Sequence, residues 1–382
     1  MKSFGSVLAP ALSLALGGCY LSHRIAEDEP PVDGPPICWT ATAGPTFLTD
    51  APPAAYAGTL LWEDGEALLG FAATNADPTR PRTLAHLDAR GQARAEEVVF
   101  DSQVERQFGP ALEVVSSSFG RVATAYSEGR GCELRVLGAE PSVITSDYCR
   151  GLRASPTGGV MLLLDGIGAD APERRFAAIR SIDPPRLRQG ARGVLGDALS
   201  WTYEPLDRDA VVAAIAPREG GPIEAGTIEW RGGERRLVPV VETTRDVRRL
   251  RLLRHRGGWA LGWIEQTDDA WRLGLMQLDD QGLAIGPAHH PAVGALPETG
   301  WRMVERGDEI VVAFVVGDEL RLASLDADFG LVASTSTVAR LTGLDELGVV
   351  VLDDGAVLVS FTEGTGTGLE RVGTVRAECV VR

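Results

Sequence analysis

The sequence has one lysine, Lys2, against 36 arginines, and it has no long uninterrupted apolar run. Acidic residues outnumber basic ones, and the formal net charge is −16. This balance excludes general binding to nucleic acid, because phosphate backbones require a positively charged surface. The chain also lacks a Gly-x-Ser-x-Gly nucleophile elbow and a cysteine beside a candidate base. The sequence therefore assigns no catalytic residue.

Metal-binding patterns are equally scarce. None of the cysteine spacings is that of a zinc site. Acid pairs such as Asp279-Asp280 and Asp353-Asp354 fall at predicted hairpin tips, where solvated turns explain them better than acid–base pairs do. Asp326-x-Asp328-x-Gly330 has the beginning of a calcium loop, but the further acidic ligands at regular spacing are missing. We expect no cofactor and no metal, with a structural calcium at this segment as the alternative.

A short apolar run begins at Phe4 and ends at Leu16-Gly17-Gly18-Cys19. A charged start, an apolar core and small residues before a cleavage point are the layout of an export signal. Leu-Gly-Gly-Cys resembles the lipobox of bacterial lipoproteins, a resemblance confined to the first nineteen residues. The resemblance implies a signal peptide over 1–18, a lipid on Cys19 and anchoring in the cell envelope. An ordinary signal, or a short membrane anchor with a chance cysteine, is the alternative.

Residues 19–37 are rich in proline and acid and predict an extended tether after the lipidated cysteine. Polyproline geometry gives this tether a reach of at most about 55 Å. Tyr20 follows Cys19, which in the enterobacterial members of the lipoprotein family implies sorting to the outer membrane.

From residue 38 onward, short apolar runs of strand length repeat. A branched or small residue, then Gly, Ala or Ser, then an aromatic residue recurs five times: Leu69-Gly70-Phe71, Thr124-Ala125-Tyr126, Leu261-Gly262-Trp263, Val312-Ala313-Phe314 and Val359-Ser360-Phe361. Two degenerate copies fill the long gap: Val160–Leu164 and Val211–Ile215. The spacing predicts seven units.

A second pattern follows in phase. A Leu-Asp pair precedes a glycine turn at Leu87-Asp88, Leu278-Asp279 and Leu325-Asp326, which is typical of a hairpin tip. Four short strands per unit, repeated seven times, resemble a seven-bladed β-propeller over 38–382. The WD-repeat, kelch and Asp-box signatures are absent, so the resemblance is architectural. Two consecutive β-sandwiches are the competing interpretation.

The predicted ring closes where the two chain ends meet. Cys38 and Trp39 are expected to supply the outer strand of the last blade, beside a closing strand over Val375–Val381. In an exported chain the four cysteines other than Cys19 can form two disulfides, for which three pairings exist. We favour Cys132–Cys149 and Cys38–Cys379, with free buried thiols as the alternative.

The strongest local cluster lies in the predicted first strand of the fifth blade, which in a propeller usually lines the central channel. Strand alternation predicts Arg249, Arg251 and His255 on one face, with Leu250 and Leu252 on the other. The arginines could hold a carboxylated or phosphorylated ligand bidentately. Pairing with carboxylates of the blades, or a solvated rim, is the more common use of such residues.

The sequence thus predicts an all-β, monomeric, lipid-anchored propeller that binds an envelope protein or a glycan. Two alternatives remain open, a propeller-based glycan hydrolase or lyase and a structural subunit of an envelope complex.

Overall fold

The structure is a computed structural model. It describes residues 37–48, 54–73, 82–100, 112–127, 131–165, 174–182, 185–196, 198–207, 209–217, 221–243, 245–268, 270–294, 296, 300–332, 334–364 and 370–381. Residues 1–36, with the predicted signal and nearly all of the predicted tether, lie outside these ranges. No helix long and apolar enough to cross a membrane occurs within them.

Seven antiparallel sheets follow one another along the chain. Two strands precede the first complete sheet: β1 (Ile37–Ala41) and β2 (Thr46–Phe47). The first two blades consist of β3 (Ala54–Glu63), β4 (Glu66–Ala73), β5 (Arg82–Leu87), β6 (Ala93–Phe100), β7 (Glu113–Ser117), β8 (Gly120–Ser127), β9 (Gly131–Val136) and β10 (Ser142–Thr145). The third and fourth consist of β11 (Tyr148–Ala154), β12 (Val160–Asp165), β13 (Arg175–Ile182), β14 (Pro185–Gln189), β15 (Ala198–Pro205), β16 (Ala210–Pro217), β17 (Ile223–Glu229) and β18 (Glu234–Val241).

The last three blades complete the ring. Their strands are β19 (Val247–His255), β20 (Gly258–Gln266), β21 (Trp271–Leu278), β22 (Trp301–Arg306), β23 (Glu309–Val316), β24 (Glu319–Leu325), β25 (Ser336–Arg340), β26 (Leu344–Val351), β27 (Val357–Gly364) and β28 (Glu370–Val381). The predicted seven-bladed β-propeller is confirmed. In the fifth blade the described residues form three strands, and isolated bridges at Ala284, His289 and Leu296 replace a regular fourth strand.

The repeated aromatic signature lies on the second strand of its blade in every case, including the two degenerate copies. These strands are buried on both faces because neighbouring blades cover both sides of each sheet. In β23, for example, every residue from Ile310 to Val315 is buried. The small residue of the signature leaves room for the next blade. A Cβ at Gly262 would stand 2.6 Å from the Trp301 ring of the following blade.

The Leu-Asp hairpins also form as predicted, directly after the third strand of their blades. The Oδ1 atom of Asp279 accepts the backbone N–H groups of Gln281 and Leu283 at 2.9 and 2.8 Å. Gly282 has a φ of +83° and sits against Val212 of the preceding blade. The tip therefore fixes its own turn and also packs on a neighbouring blade.

The hairpin at Asp326 differs from the prediction in one detail. The residue with positive φ is Phe329, at 62°, rather than the glycine that follows it. Phe329 is 3% exposed, and its ring lies 5.7 Å from His289 and 6.5 Å from His255. Burial of the ring against the fifth blade offsets the unfavourable backbone conformation.

Asp326 Oδ1 accepts the N–H groups of Asp328 and Gly330. The calcium-like segment is therefore used as a turn. Among the described side chains, no group of three or more His, Cys, Asp and Glu could hold a metal ion.

The ring closes as predicted. The first strand of the chain, β1, pairs with the last, β28, and the closing sheet runs β1-β28-β27-β26. Trp39 Nε1 donates to Ser324 Oγ at 3.1 Å, which fixes the closing strand against the sixth blade. This pairing covers strand edges that would otherwise be open to association.

The Cys132–Cys149 disulfide is confirmed, with 5.5 Å between the Cα atoms. It joins β9 to β11 and so links the second blade to the third. The side chain of Cys38 lies outside the described residues. The Cys38–Cys379 disulfide therefore stays a prediction, although the strands that carry the two residues are neighbours in one sheet.

Candidate anion site in the central channel

The first strand of each blade lines the centre of the ring. These strands contact one another in succession: β3, β7, β11, β15, β19, β22, β26 and again β3. Five of them, in blades two to six, carry the charged residues of one connected group, which we call the channel group: Glu113, Arg153, Glu204, Arg251 and Arg302. Each blade contributes a single member, so the group exists only in the assembled ring.

One side of the channel group is paired. Arg153 Nε donates to Glu204 Oε1 at 2.9 Å, and Arg153 Nη1 donates to the backbone carbonyl of Leu152 at 2.8 Å. The Arg153 guanidinium also lies 5.6 Å from the centre of the Tyr203 ring. Burial raises the pKa of Glu204, and the adjacent Arg153 opposes that rise. Arg153 is therefore committed mainly to Glu204.

The Glu113 carboxylate lacks the hydrogen bond to Arg153 that Glu204 has. Its Oε1 atom lies 3.9 Å from Arg153 Nη1, which is too long for a hydrogen bond. Its Oε2 atom is buried and has no hydrogen-bond partner among the described residues. Burial raises the pKa of Glu113 to about 7, although Arg153 and a backbone hydrogen bond from Leu152 pull it downward. Glu113 is thus a carboxylate with an unused acceptor.

The other side of the channel group is cationic. Arg251 makes no hydrogen bond or ion pair with any described residue, and its buried Nε atom has no acceptor there. Burial is the main cause that lowers the pKa of the Arg251 guanidinium well below its ordinary value. Repulsion adds to this effect, from Arg302, Arg249 and Arg153. Because arginine stays protonated in proteins, the site holds a charge that attracts an anion.

Of the channel group, the sequence identified Arg251 alone and missed Glu113, Arg153, Glu204 and Arg302. Among these four, Arg302 has a position that the repeat could have indicated. It faces Ala313 across its hairpin, and Arg251 faces Gly262, so each arginine lies opposite the small residue of its blade's signature. Both also lie twelve residues before the aromatic of that signature. The equal spacing from the aromatic residue therefore indicates, from the sequence itself, that the two arginines occupy equivalent positions in their blades.

Strict alternation does not hold along β19. A β-bulge opposes two residues, Arg249 and Leu250, to the single residue Trp263, and Arg249 has a φ of +55°. The Leu250 N–H donates to Ser200 Oγ of the preceding blade at 3.1 Å, and Leu250 is fully buried. Bulges re-aim the side chains that follow them. Leu250 and Leu252 are both buried.

His255 does not join the channel group. Its side chain is fully buried, and Nδ1 lies 2.9 Å from Glu305 Oε1 of the next blade. The imidazole of His255 therefore has no exposed surface that a ligand in the channel could contact. Strand alternation predicts the face of the sheet on which a side chain lies, but it does not predict how deeply that side chain is buried. For this reason the sequence grouped His255 with the arginines.

Comparison with known proteins supports the fold and goes no further. No protein-family model and no curated protein matches this sequence. Similar solved structures include a protein of unknown function from Dyadobacter fermentans, with 11% identity and a TM-score of 0.50 over 90% of this chain and 99% of that one. The polysaccharide lyase Uly1 has 9% identity and a TM-score of 0.54 over 91% and 98% of the two chains.

A puromycin-hydrolyzing peptidase from Mycobacterium tuberculosis has 15% identity and a TM-score of 0.51 over 86% of this chain. The match spans about half of the peptidase, 55% of its length. At such identities these similarities show a shared β-propeller architecture, which hosts unrelated functions.

Proposed function

We propose that this chain is an exported, lipid-anchored β-propeller of the cell envelope, and that it binds an anionic group of a glycan or of an envelope protein in its central channel. One observation carries the proposal. Arg251 is a channel cation that no described carboxylate approaches, and three other guanidiniums lie close enough to repel it.

Electrostatics favours a bound anion at this point. A partly buried charge without a partner costs free energy, and the protein cannot avoid that cost by deprotonating an arginine. A carboxylate or phosphate group offsets the cost because its oxygens match the planar guanidinium bidentately. A bound ligand would raise the free energy of unfolding by RT ln(1 + [L]/Kd), so stability would increase with the logarithm of the ligand concentration above Kd.

The envelope location rests on Leu16-Gly17-Gly18-Cys19 and on the predicted tether that follows. Several acyl chains on Cys19 would hold the ring at the membrane without a spanning helix. Replacing Cys19 with Ala should yield an unprocessed or soluble protein that takes up no labelled fatty acid. Labelling that persists in this variant would contradict the anchor.

The binding proposal is tested with the full chain in detergent, applied to a set of neutral, carboxylated and phosphorylated glycans. We expect retention of acidic glycans only, and loss of that retention in Arg251→Met. The matched control is Arg254→Met, on the same strand, where the guanidinium is exposed and stacks 4.9 Å from the centre of the Trp259 ring. Equal retention by the two variants would contradict a channel site.

A glycan hydrolase is the second candidate, and one observation favours it. Glu113 and Glu204 flank Arg153, and the raised pKa of Glu113 suits a general acid. If the chain cleaves acidic glycans, Glu113→Gln should abolish the cleavage while leaving retention intact. Retention without cleavage in the unmodified chain would leave the binding function alone.

A further inference from the structure

The indole N–H of Trp301 is a hydrogen-bond donor that the fold leaves unused. Trp301 is the first residue of β22, and it is 1% exposed. Its Nε1 atom is buried and has no acceptor among the residues that the structure describes. Buried indole N–H groups usually have a partner, so this donor indicates a ligand or a water molecule beside it.

Other tryptophans of the ring show the usual arrangement. Their Nε1 atoms each donate to one acceptor: Trp39 to Ser324, Trp62 to Asp353, Trp259 to the backbone carbonyl of Asp280 and Trp263 to Glu265. Trp301 has no bond of this kind within the described part of the chain.

Trp301 lies beside Arg251, across the interface between the fifth and sixth blades. Arg251 pairs with Gly262 in the hairpin of β19 and β20, so the two residues share one face of that sheet. A Cβ at Gly262 would stand 2.6 Å from Cη2 of the Trp301 ring. Directly opposite residues of an antiparallel pair have Cβ atoms about 4.5–5.5 Å apart. The base of the Arg251 side chain and the indole ring are therefore neighbours.

The packing of the two blades gives the same orientation. Trp301 belongs to a core cluster with Ala260 and Leu275 of the fifth blade. Leu253 packs against this cluster, and it lies two residues after Arg251 and so on the same face of β19. Both Arg251 and Trp301 lie on first strands, which contact each other around the channel. The two side chains thus meet at the channel end of one interface.

We infer that Trp301 is a second donor to the channel anion: the Arg251 guanidinium holds the charge, and the Trp301 Nε1–H donates to one oxygen. This inference rests on the proposed function, since it adds a binding residue to the same anion site. Both groups are donors only. A ligand hydroxyl or ammonium group finds no acceptor in this pair, which therefore favours an ionised carboxylate or phosphate oxygen.

The two donors differ in depth. Arg251 is half-buried, whereas Trp301 is fully buried. An anion that enters from the channel meets the guanidinium first, and the long Arg251 side chain must turn for one oxygen to reach the indole. A hydrogen bond at that depth is stronger than one in water, because the local dielectric constant is lower.

The test is calorimetric titration of the full chain with inorganic phosphate. Trp301→Phe keeps an aromatic ring in the interface and removes the N–H. This variant should bind phosphate about tenfold more weakly, the loss of one hydrogen bond to a charged group. The control is Trp259→Phe, which removes an indole N–H that already donates to the Asp280 carbonyl. It should bind phosphate as the unmodified chain does.

A second measurement uses the unmodified chain and so does not depend on the folding of a variant. In the nuclear magnetic resonance spectrum of the chain with isotope-labelled tryptophan, phosphate should move one indole N–H signal downfield, because a hydrogen bond to an anion deshields that proton. No shift of any indole signal, at phosphate concentrations that raise the Tm, would count against Trp301. A shifted signal that is still present in Trp301→Phe would do so equally.

The outcomes separate the two proposals. If Trp301→Phe binds phosphate as tightly as the unmodified chain while Arg251→Met has lost binding, this inference is wrong and the anion site stands. If the unmodified chain binds no phosphate, or if binding is unchanged in Arg251→Met, the proposed function fails and this inference fails with it.

Discussion

Arg251 occupies a position that a folding protein normally avoids. Its guanidinium is partly buried, and the charges nearest to it are Arg302, Arg249 and Arg153. Such a residue lowers the stability of the empty ring, since desolvation and repulsion both act against it. The proposed anion site accounts for such a residue, because a bound carboxylate or phosphate would offset this cost.

The first prediction concerns this cost. Arg251→Met should raise the free energy of unfolding by about 1–3 kcal/mol in a buffer without multivalent anions, because an apolar chain of similar length replaces a charge that lacks a partner among the described residues. Denaturant titration measures it. Arg254→Met, at the exposed control position, should change stability by less than about 1 kcal/mol. Destabilisation of the Arg251 variant would show that an unseen partner compensates this charge.

The second prediction concerns Glu113 and pH. Its pKa is raised from 4.5 to about 7, so the folded chain binds this proton more tightly than the unfolded chain does. The contribution is complete below pH 4.5, is lost as pH rises through 7, and changes by up to about 1.4 kcal/mol per pH unit. Among the described residues, Arg153 and Tyr203 are the charged and titratable groups that interact with Glu113.

Thermal unfolding of Glu113→Gln, followed from pH 4.5 to pH 8, isolates this contribution. The variant should gain stability relative to the unmodified chain as pH rises across that range. Parallel pH profiles of the two proteins would mean that folding does not raise the pKa of Glu113.

At the scale of elements, the sequence predicted much of each blade. The aromatic signature identified five of the second strands, and its degenerate apolar copies, Val160–Leu164 and Val211–Ile215, identified the other two. The Leu-Asp hairpins followed from the local chemistry of an aspartate that caps its own turn.

Other features depended on contacts between blades and could not be predicted. No glycine marks the bulge at Arg249 in the sequence, although the backbone φ there is positive. The bulge is stabilised by the hydrogen bond from the Leu250 N–H to Ser200, fifty residues earlier in the chain. Arg153 and Glu204 come together only after adjacent blades have packed. The burial of His255 against Glu305 likewise depends on the sixth blade.

The third prediction tests a hairpin as a unit. Asp279→Ala removes the acceptor of two backbone N–H groups at a tip that packs on the preceding blade. We expect a loss of about 1–2 kcal/mol in the free energy of unfolding, measured by denaturant titration. Asp280→Ala is the control, since its side chain is exposed and makes no such bonds in the described region. Equal effects of the two changes would contradict the capping role.

For the whole molecule, ring closure is the feature on which the channel depends. The sequence predicted it from Cys38, Trp39 and the final strand, and the pairing of β1 with β28 confirms the strand arrangement. The Cys132–Cys149 disulfide adds a second link, between two blades, and contributes about 3 kcal/mol in the loop-entropy model.

The fourth prediction is the disulfide between Cys38 and Cys379. Peptide mapping of the exported protein without reductant should recover these two residues in one linked fragment. Cys379→Ala should lower the free energy of unfolding by up to about 5 kcal/mol, because the loop that the bond closes includes the whole ring. Recovery of either cysteine as an alkylated thiol would contradict the pairing.

The most direct test of the anion site is thermal unfolding of the full chain at increasing phosphate concentration, with ionic strength held constant by sodium chloride. The unmodified chain and Arg254→Met should rise in Tm with phosphate, by the equivalent of about 2.7 kcal/mol when phosphate reaches a hundred times its Kd. Arg251→Met should show no rise. Equal phosphate dependence in all three proteins would contradict the claim that Arg251 holds the anion.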